Sequence, residues 1–314
     1  MEPIGGYFEL ELRKDGHYHK NAIRLNTARN CFEYVLRARH YRKVFFPYYS
    51  CEVMLESIKK LGIDYEFYHI NESFEPIERP ALNADEAFLY TNYFGLKQDC
   101  VLRLAKIYGK QLIVDNAQAF YAEPIQGIDT FYSARKFFGV PDGAYLYTEK
   151  RLEKEFGQDV SFERMTHLMK RIDLGAEAGY KDFRKNDELL SNQEIKNMSR
   201  LTESLLSGIN YEAAKQKRRE NYALLDKTLK DSNLIHLEMD VEMVPMVYPY
   251  LTEDSTLRQK LIERKVFVAK YWPNVREWVG AHFLERELEG RMVPLPIDQR
   301  YRKEEMNWII ESIE

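Results

Sequence analysis

Three stretches of this chain carry residues whose types and spacing could do chemistry. In QLIVDNAQAF (111–120), Asp115 closes a strongly apolar run and Gln118 follows it three residues later. Open parallel sheets place ligands just beyond the carboxyl ends of their strands, so a carboxylate there stands deep in a crevice. Burying it is costly unless a cation or a strong donor, such as a protonated ring nitrogen, meets it. Read alone, Asp115 serves equally well as the cap of the following turn. In TFYSARKFFGVPDGAYLYT (130–148), Ser133, Arg135 and Lys136 follow one apolar run, and Pro141, Asp142 and Gly143 turn the chain into another. A lysine amine forms an imine with an aldehyde only while part of it is unprotonated, a state that desolvation or neighbouring cations favour. Ser133 could reach a phosphate on the same ligand. A single lysine is more often a solvated surface residue, and it is the position of Lys136 between two strands, downstream of Asp115, that argues for chemistry. In RLNTARNCFEYVL (24–36), Thr27 to Asn30 enter a helix, whose first N–H groups and partial positive charge suit a phosphate. An ordinary N-cap at Asn26 or Thr27 explains that stretch equally well.

The elements that must position these residues follow from hydrophobic periodicity. Strands are expected at 43–46, 64–70, 87–91, 111–114, 130–132 and 144–148, and three-and-four apolar spacing predicts helices over 28–39, 51–62 and 98–110. Such alternation predicts an α/β fold, a mostly parallel central sheet with helices on both faces. From about 149 to 210 the alternation stops, and a charged stretch suggests surface helices and a mobile connection. A long helix over 211–231 then leads to VPMVYPYL, a helix in TLRQKLIERK, a strand-like VFVAKYW (266–272) and a final helix in EEMNWIIESI. This order suggests a large ligand-binding domain over 1–204 and a smaller C-terminal α+β domain over 205–314.

Composition narrows the function classes. The 314 residues include 46 basic and 50 acidic side chains, a net charge of −4, so no excess of positive charge favours nucleic acid or an anionic membrane. The N-terminal stretch lacks a basic patch followed by an apolar run, and no segment approaches the length of a membrane span. Cys31, Cys51 and Cys100 are odd in number and far apart, which fits neither a disulfide framework nor a zinc site and agrees with a cytoplasmic location. His17 and His19, in a polar N-terminal segment, and the isolated His40 show no metal-ligand spacing and are expected at the surface. The run KQKRREN (215–221) reads first as the wet face of a helix and second as a seat for a nucleotide diphosphate.

In chain order, TARN, PYYSC, TNYFG, VDNAQ and SARK with its glycine turn resemble the DegT/DnrJ/StrS family of pyridoxal phosphate (PLP)-dependent sugar aminotransferases. YWP (271–273) and MVPLPIDQRYRKEEMNWIIESI (292–313) resemble that family's closing segments, so the resemblance spans nearly the whole chain. It implies the PLP-dependent transferase fold type I, with Lys136 as the internal aldimine lysine and proton carrier, and Asp115 on the pyridine nitrogen. It further implies that Gln118 faces the ring or its phenolic oxygen. Ser133 and the backbone N–H groups of Ala28 and Arg29 hold the phosphate, Asn92 lines the pocket, and Asn197 lies in the region that reaches a partner subunit's phosphate. The family usually stacks an aromatic residue on the cofactor where Cys51 falls, which assigns that task to Tyr49 or Tyr48. Asn92 stands where a histidine is frequent, and Gly143 with Ala144 where a glycine pair is usual. Tyr271, Trp272 and Pro273 resemble the substrate-side turn, although burial in the smaller domain explains them as well.

The implied activity is transfer of an amino group, with glutamate as the expected donor, to a keto carbon of a nucleotide-linked sugar in surface polysaccharide or amino-sugar biosynthesis. A homodimer with a shared active site is the implied assembly. Two alternatives use the same fold: a PLP enzyme acting on a non-sugar ketone, and a non-catalytic scaffold or sensor. A dinucleotide-binding enzyme ranks below these, because no G-x-G-x-x-G motif occurs at any strand-to-helix turn.

Overall fold

The computed structural model describes residues 4–313. In chain order it contains β1 (Ile23–Leu25), α1 (Ala28–Arg39), β2 (Lys43–Pro47), α2 (Leu55–Leu61), β3 (Asp64–Tyr68), β4 (Glu86–Thr91), α3 (Gln98–Tyr108), β5 (Leu112–Asp115), β6 (Asp129–Ser133) and β7 (Ala144–Tyr147). There follow α4 (Thr166–Leu174), α5 (Ala176–Leu189), α6 (Arg200–Ser207), α7 (Tyr211–Leu229), β8 (Val247–Leu251), α8 (Leu257–Glu263), α9 (Val275–Trp278), α10 (Leu284–Arg291), β9 (Met292–Pro296) and α11 (Lys303–Ile313).

Seven strands form one sheet in the order β1-β7-β6-β5-β4-β2-β3. Strands β3, β2, β4, β5 and β6 run parallel, and β7 is antiparallel to both of its neighbours, β6 and β1. The parallel strands β4, β5 and β6 are almost entirely buried, which is why their sequences are continuous apolar runs rather than alternating ones. Every strand expected from residues 43 to 148 is present, and α1 spans the residues that periodicity assigned to it. The sheet is therefore α/β and mostly parallel, as the sequence indicates.

The region after residue 149 holds α4, α5 and α6, and β8 with β9 forms a second, two-stranded antiparallel sheet. In that ribbon Pro249 faces Pro294. Proline cannot donate to a ladder and is tolerated where the strand has a free edge. Packing of α7 and α11 on this ribbon continues the core that lines one face of the large sheet, through Tyr222, Leu225, Tyr248, Leu295 and Met306.

Two expectations need correction. Residues 266–272 form no strand: Val266 and Val268 are buried and Phe267 exposed, but no ladder partner lies beside them. This apolar run passes once over the core with burial alternating at 266–268, and it ends in left-handed backbone at Trp272 (φ 53°). His17 and His19 are buried, not exposed. The Nδ1 of His17 lies 2.7 Å from the Tyr145 hydroxyl, and the Nε2 of His19 lies 2.8 Å from the Phe120 carbonyl oxygen.

Candidate functional site

Asp115 is the last residue of β5, and its neighbours in the sheet place it directly beyond buried apolar side chains. Its carbonyl accepts from the Asn92 N–H (3.0 Å), and its Oδ1 accepts from the Ala117 N–H (2.8 Å). Burial pushes the Asp115 carboxyl above the ordinary carboxylate range; the charge of Lys136 opposes that push, and the Ala117 N–H does so to a smaller extent. The two residues that the sequence singles out for chemistry are therefore electrostatically coupled in the folded chain.

Lys136 ends a single 3-10 turn, Ala134–Lys136, that follows β6 directly. The turn is pinned at its start, where the Ala134 N–H donates to the Gly143 carbonyl (3.0 Å). Gly143 has φ +112°, and its own N–H donates to the Asn26 carbonyl (2.7 Å), the residue before the helix cap. These bonds bring the Lys136 loop against the N-terminus of α1. Asp142, fully buried beside Gly143, accepts from the Ser199 N–H (2.9 Å), the Ser199 hydroxyl (2.8 Å) and the Thr202 hydroxyl, which ties α6 to the same turn. Lys136 itself is exposed in the single chain, so the site is open on the side where its amine emerges.

At the start of α1 the Thr27 hydroxyl oxygen caps the helix by accepting from the Asn30 N–H (3.1 Å). The Arg29 guanidinium turns away to Glu56, with its Nη1 3.0 Å from each carboxylate oxygen. What the first turn of α1 offers an anion is thus the backbone N–H groups of Ala28 and Arg29, close to buried Ser133 at the end of β6. Cys51 opens the short turn that leads into α2. Burial raises its thiol, while the Val53 N–H and then the charge of Lys136 pull it back.

Buried polar atoms without partners near the end of β5 include Gln118 Nε2, Asn116 Oδ1 and Thr91 Oγ1. Gln118 is held by its Oε1, which accepts from the Phe94 N–H (2.8 Å), leaving the amide nitrogen as an unused donor. Orphaned groups of this kind are rare inside proteins and mark where a ligand can complete the bonding.

The structure brings Asp115, Gln118, Ser133, Lys136, Ala28 and Arg29 to one end of the sheet. Other candidate side chains are engaged elsewhere. Tyr49 is fully buried with its ring against Trp272 (4.6 Å between centroids), and Tyr48 stacks on Phe67 (4.5 Å). Asn92 donates through Nδ2 to Gln98 (3.0 Å) and accepts through Oδ1 from the Lys97 N–H (3.0 Å), shaping the turn before α3. Asn197 donates to the Phe156 carbonyl (2.7 Å) and bridges to Leu25 at the sheet edge. Tyr271 stacks on Trp272 and lies against the core, beside the large sheet's face.

Sequence reasoning missed Arg218. It lies within the basic run read as a wet helix face, yet it is 1% exposed. The signal was present: the buried positions of α7 are 211, 214, 218, 221, 222, 225 and 229, and Arg218 falls on that stripe.

No family model and no curated protein sequence matches this chain. Solved structures do. A DegT DnrJ EryC1 StrS aminotransferase from Brucella abortus superposes with a TM-score of 0.62 at 15% identity, over 93% of this chain and 84% of that one. This chain has the fold of an aminotransferase. DesV from S. venezuelae, solved in complex with a ketimine intermediate, matches with a TM-score of 0.61 at 16% identity, over 93% and 83% of the two chains. The sugar aminotransferase CalS13 from Micromonospora echinospora gives 0.59 at 14%, over 93% and 86%. At these identities the shared property is the arrangement of the backbone, and activity rests on the site itself.

Proposed function

We propose that the protein is a PLP-dependent aminotransferase that delivers an amino group to the keto carbon of a nucleotide-linked sugar. The observation that carries this reading is the placing of a buried strand-end carboxylate, Asp115, on β5 and of the Lys136 turn after the neighbouring β6, with that turn tied to the N-terminus of α1. The residues fit the cofactor: Asp115 offers a buried acceptor for a ring N–H, Gln118 Nε2 is an unused donor, and the first N–H groups of α1 with Ser133 form a phosphate seat. Tyr48 and Tyr49, the residues expected to cover the ring, pack instead on Phe67 and Trp272. When bound, PLP supplies an aldehyde for the lysine amine and a ring that accepts electrons.

In this reading Asp115 would keep the proton on the ring nitrogen, its charge favoured against burial by Lys136 and the Ala117 N–H. The Lys136 amine would hold the cofactor through its aldehyde and, once released, would serve as the acid–base group that moves a proton during amino transfer. Gly143 and Asp142 hold the loop from which it acts. Glutamate as donor and a nucleotide-linked acceptor are supported by the sequence resemblance, and a sugar acceptor also by the sugar aminotransferase among the structures of like fold. A homodimer completing the site is supported by the open side at Lys136. It is supported as well by apolar side chains on α4 and α5, where Ile172 is 85%, Leu174 69% and Tyr180 61% exposed. No helix among the described residues is long and apolar enough to cross a membrane.

The test is direct. Protein incubated with PLP and reduced with borohydride should carry a pyridoxyl mass on the peptide containing Lys136, and a panel of amino acids should bleach the unreduced yellow form with glutamate fastest. A colourless protein that gains no label overturns the reading in favour of a scaffold.

A further inference from the structure

We infer that Arg218 and Gln299 are positioning residues for Lys136, clamping from the C-terminal part of the chain the carbonyl of Phe137, the residue that follows it. The inference rests on the reading of Lys136 as the cofactor lysine. Gln299 Nε2 donates to the Phe137 carbonyl at 2.9 Å, and Arg218 Nη2 donates to the same oxygen at 3.5 Å. The two clamp residues are joined to each other, Arg218 Nε donating to Gln299 Oε1 at 3.1 Å. The guanidinium carbon also stands 4.5 Å from the centroid of the Phe137 ring, a cation–π contact, and Nη1 donates to the Met246 carbonyl at 2.9 Å.

This arrangement is expensive, and packing alone does not explain it. Every hydrogen-bond acceptor of Arg218 is a neutral oxygen: three backbone carbonyls and one amide. The nearest acidic group, Asp298, spends its carboxylate on Arg300, at 2.6 and 2.8 Å. Burial accordingly lowers the Arg218 guanidinium to about 10, with Asp298 only partly opposing it. A methionine or leucine would fill the α7 stripe without that cost. What the guanidinium provides, and an apolar side chain cannot, is a planar fork that fixes several acceptors at once. One of those acceptors belongs to the backbone next to Lys136. The Lys136 turn is short, closed locally by the Phe137 N–H on the Ala134 carbonyl (3.1 Å), so the following carbonyl is where an outside grip sets the direction of the lysine side chain.

The test uses the full chain loaded with PLP, in the variants Gln299→Glu, Gln299→Leu, Arg218→Lys and Arg218→Gln. Gln299→Glu is the discriminating one: it gives Arg218 an ion pair, which sustains folding, while placing an acceptor against the Phe137 carbonyl. It should keep its melting temperature and bound PLP yet lose most of the visible circular dichroism per bound cofactor. Its kcat should fall about 100-fold with the donor KM little changed, the scale of a misplacement near 1 Å. Arg218→Lys should fall between wild type and Arg218→Gln on the same dichroism signal. Should Arg218→Gln fail to fold, the two Gln299 variants decide. Variants that bind PLP with wild-type dichroism and kcat, or whose losses follow melting temperature alone, overturn the clamp and leave the cofactor reading intact. A wild-type protein that takes no label at Lys136 overturns both.

Discussion

The carboxylate of Asp115 is buried at the end of β5, and the cation that does most to keep it ionised is Lys136. Lys136→Arg keeps the positive charge but removes the amine nucleophile, so it should leave the Asp115 titration in place and abolish borohydride labelling. Lys136→Ala removes the charge as well and should push the Asp115 carboxyl further upward. Isotope-edited carboxyl spectra across pH follow the titration. An unchanged Asp115 titration in Lys136→Ala would show that the two groups are not coupled.

Asp115→Asn keeps the shape of the strand end and removes its charge. Bound PLP should persist, since the α1 N-terminus and Ser133 are untouched. Turnover should fall by about 10²–10⁴-fold, the range over which positioned acid–base groups act. Parallel measurement of cofactor content and single-turnover rate separates the two effects, and a variant with near wild-type turnover would remove Asp115 from the mechanism.

Much of this site is legible in the sequence because parallel strands bury both faces, so their ends stand out as the first polar residues after an apolar run. Asp115 and Ser133 are found that way, and Thr27 is found as a polar residue opening an amphipathic helix. The direction of a side chain in an irregular turn has no such signature. Tyr48, Tyr49 and Asn92 lie in the right segments, yet two pack on the chain's own rings and one braces its own turn. His17, His19 and Arg218 were misread for one shared reason: hydrophilic residue types suggest water, whereas each has its polar atoms met by buried tyrosine, carbonyl or amide groups. The short β1 and the proline-bearing β9 escape because three residues show no period and proline argues against a strand.

Burial holds both His17 and His19 at about 4, below the ordinary 6.5; the Arg24 charge adds to the effect on His17, and the Phe120 carbonyl weakens it on His19. The unfolded chain therefore takes up these protons first. Stability from the neutral imidazoles is complete above 6.5 and is lost as pH falls from there toward 4. For His19 the loss is on the order of 3 kcal/mol. Urea midpoints measured between pH 8 and pH 4 should fall in wild type and fall less steeply in His19→Gln, where His17 still titrates; parallel curves would refute the assignment.

Arg39 donates through Nε and Nη2 to the two oxygens of Asp129 at 2.7 and 2.9 Å, and the Asp129 side chain is fully buried at the start of β6. Arg39→Ala leaves that carboxylate without its cation, and such losses amount to about 3–5 kcal/mol. Chemical denaturation should show it. Arg39→Lys, which lacks the fork, should recover only part of the loss.

Gly143 joins three demands at one position. Its φ of +112° is a conformation that residues with a Cβ rarely adopt, and a Cβ there would stand 2.9 Å from Thr202 Cγ2. Its carbonyl and N–H meanwhile hold the Ala134 and Asn26 backbones that set Lys136 beside α1. Gly143→Ala should therefore cost about 1–3 kcal/mol from backbone strain alone, and its damage should reach beyond stability. Relief of the clash by backbone rotation breaks the bond to Asn26, so affinity for inorganic phosphate or PLP at the α1 N-terminus should weaken along with folding. Pairing the substitution with Thr202→Ser removes the methyl and restores stability in part, while the φ penalty stays. A double variant that regains full stability would mean that the contact, and not the backbone conformation, is what requires glycine here.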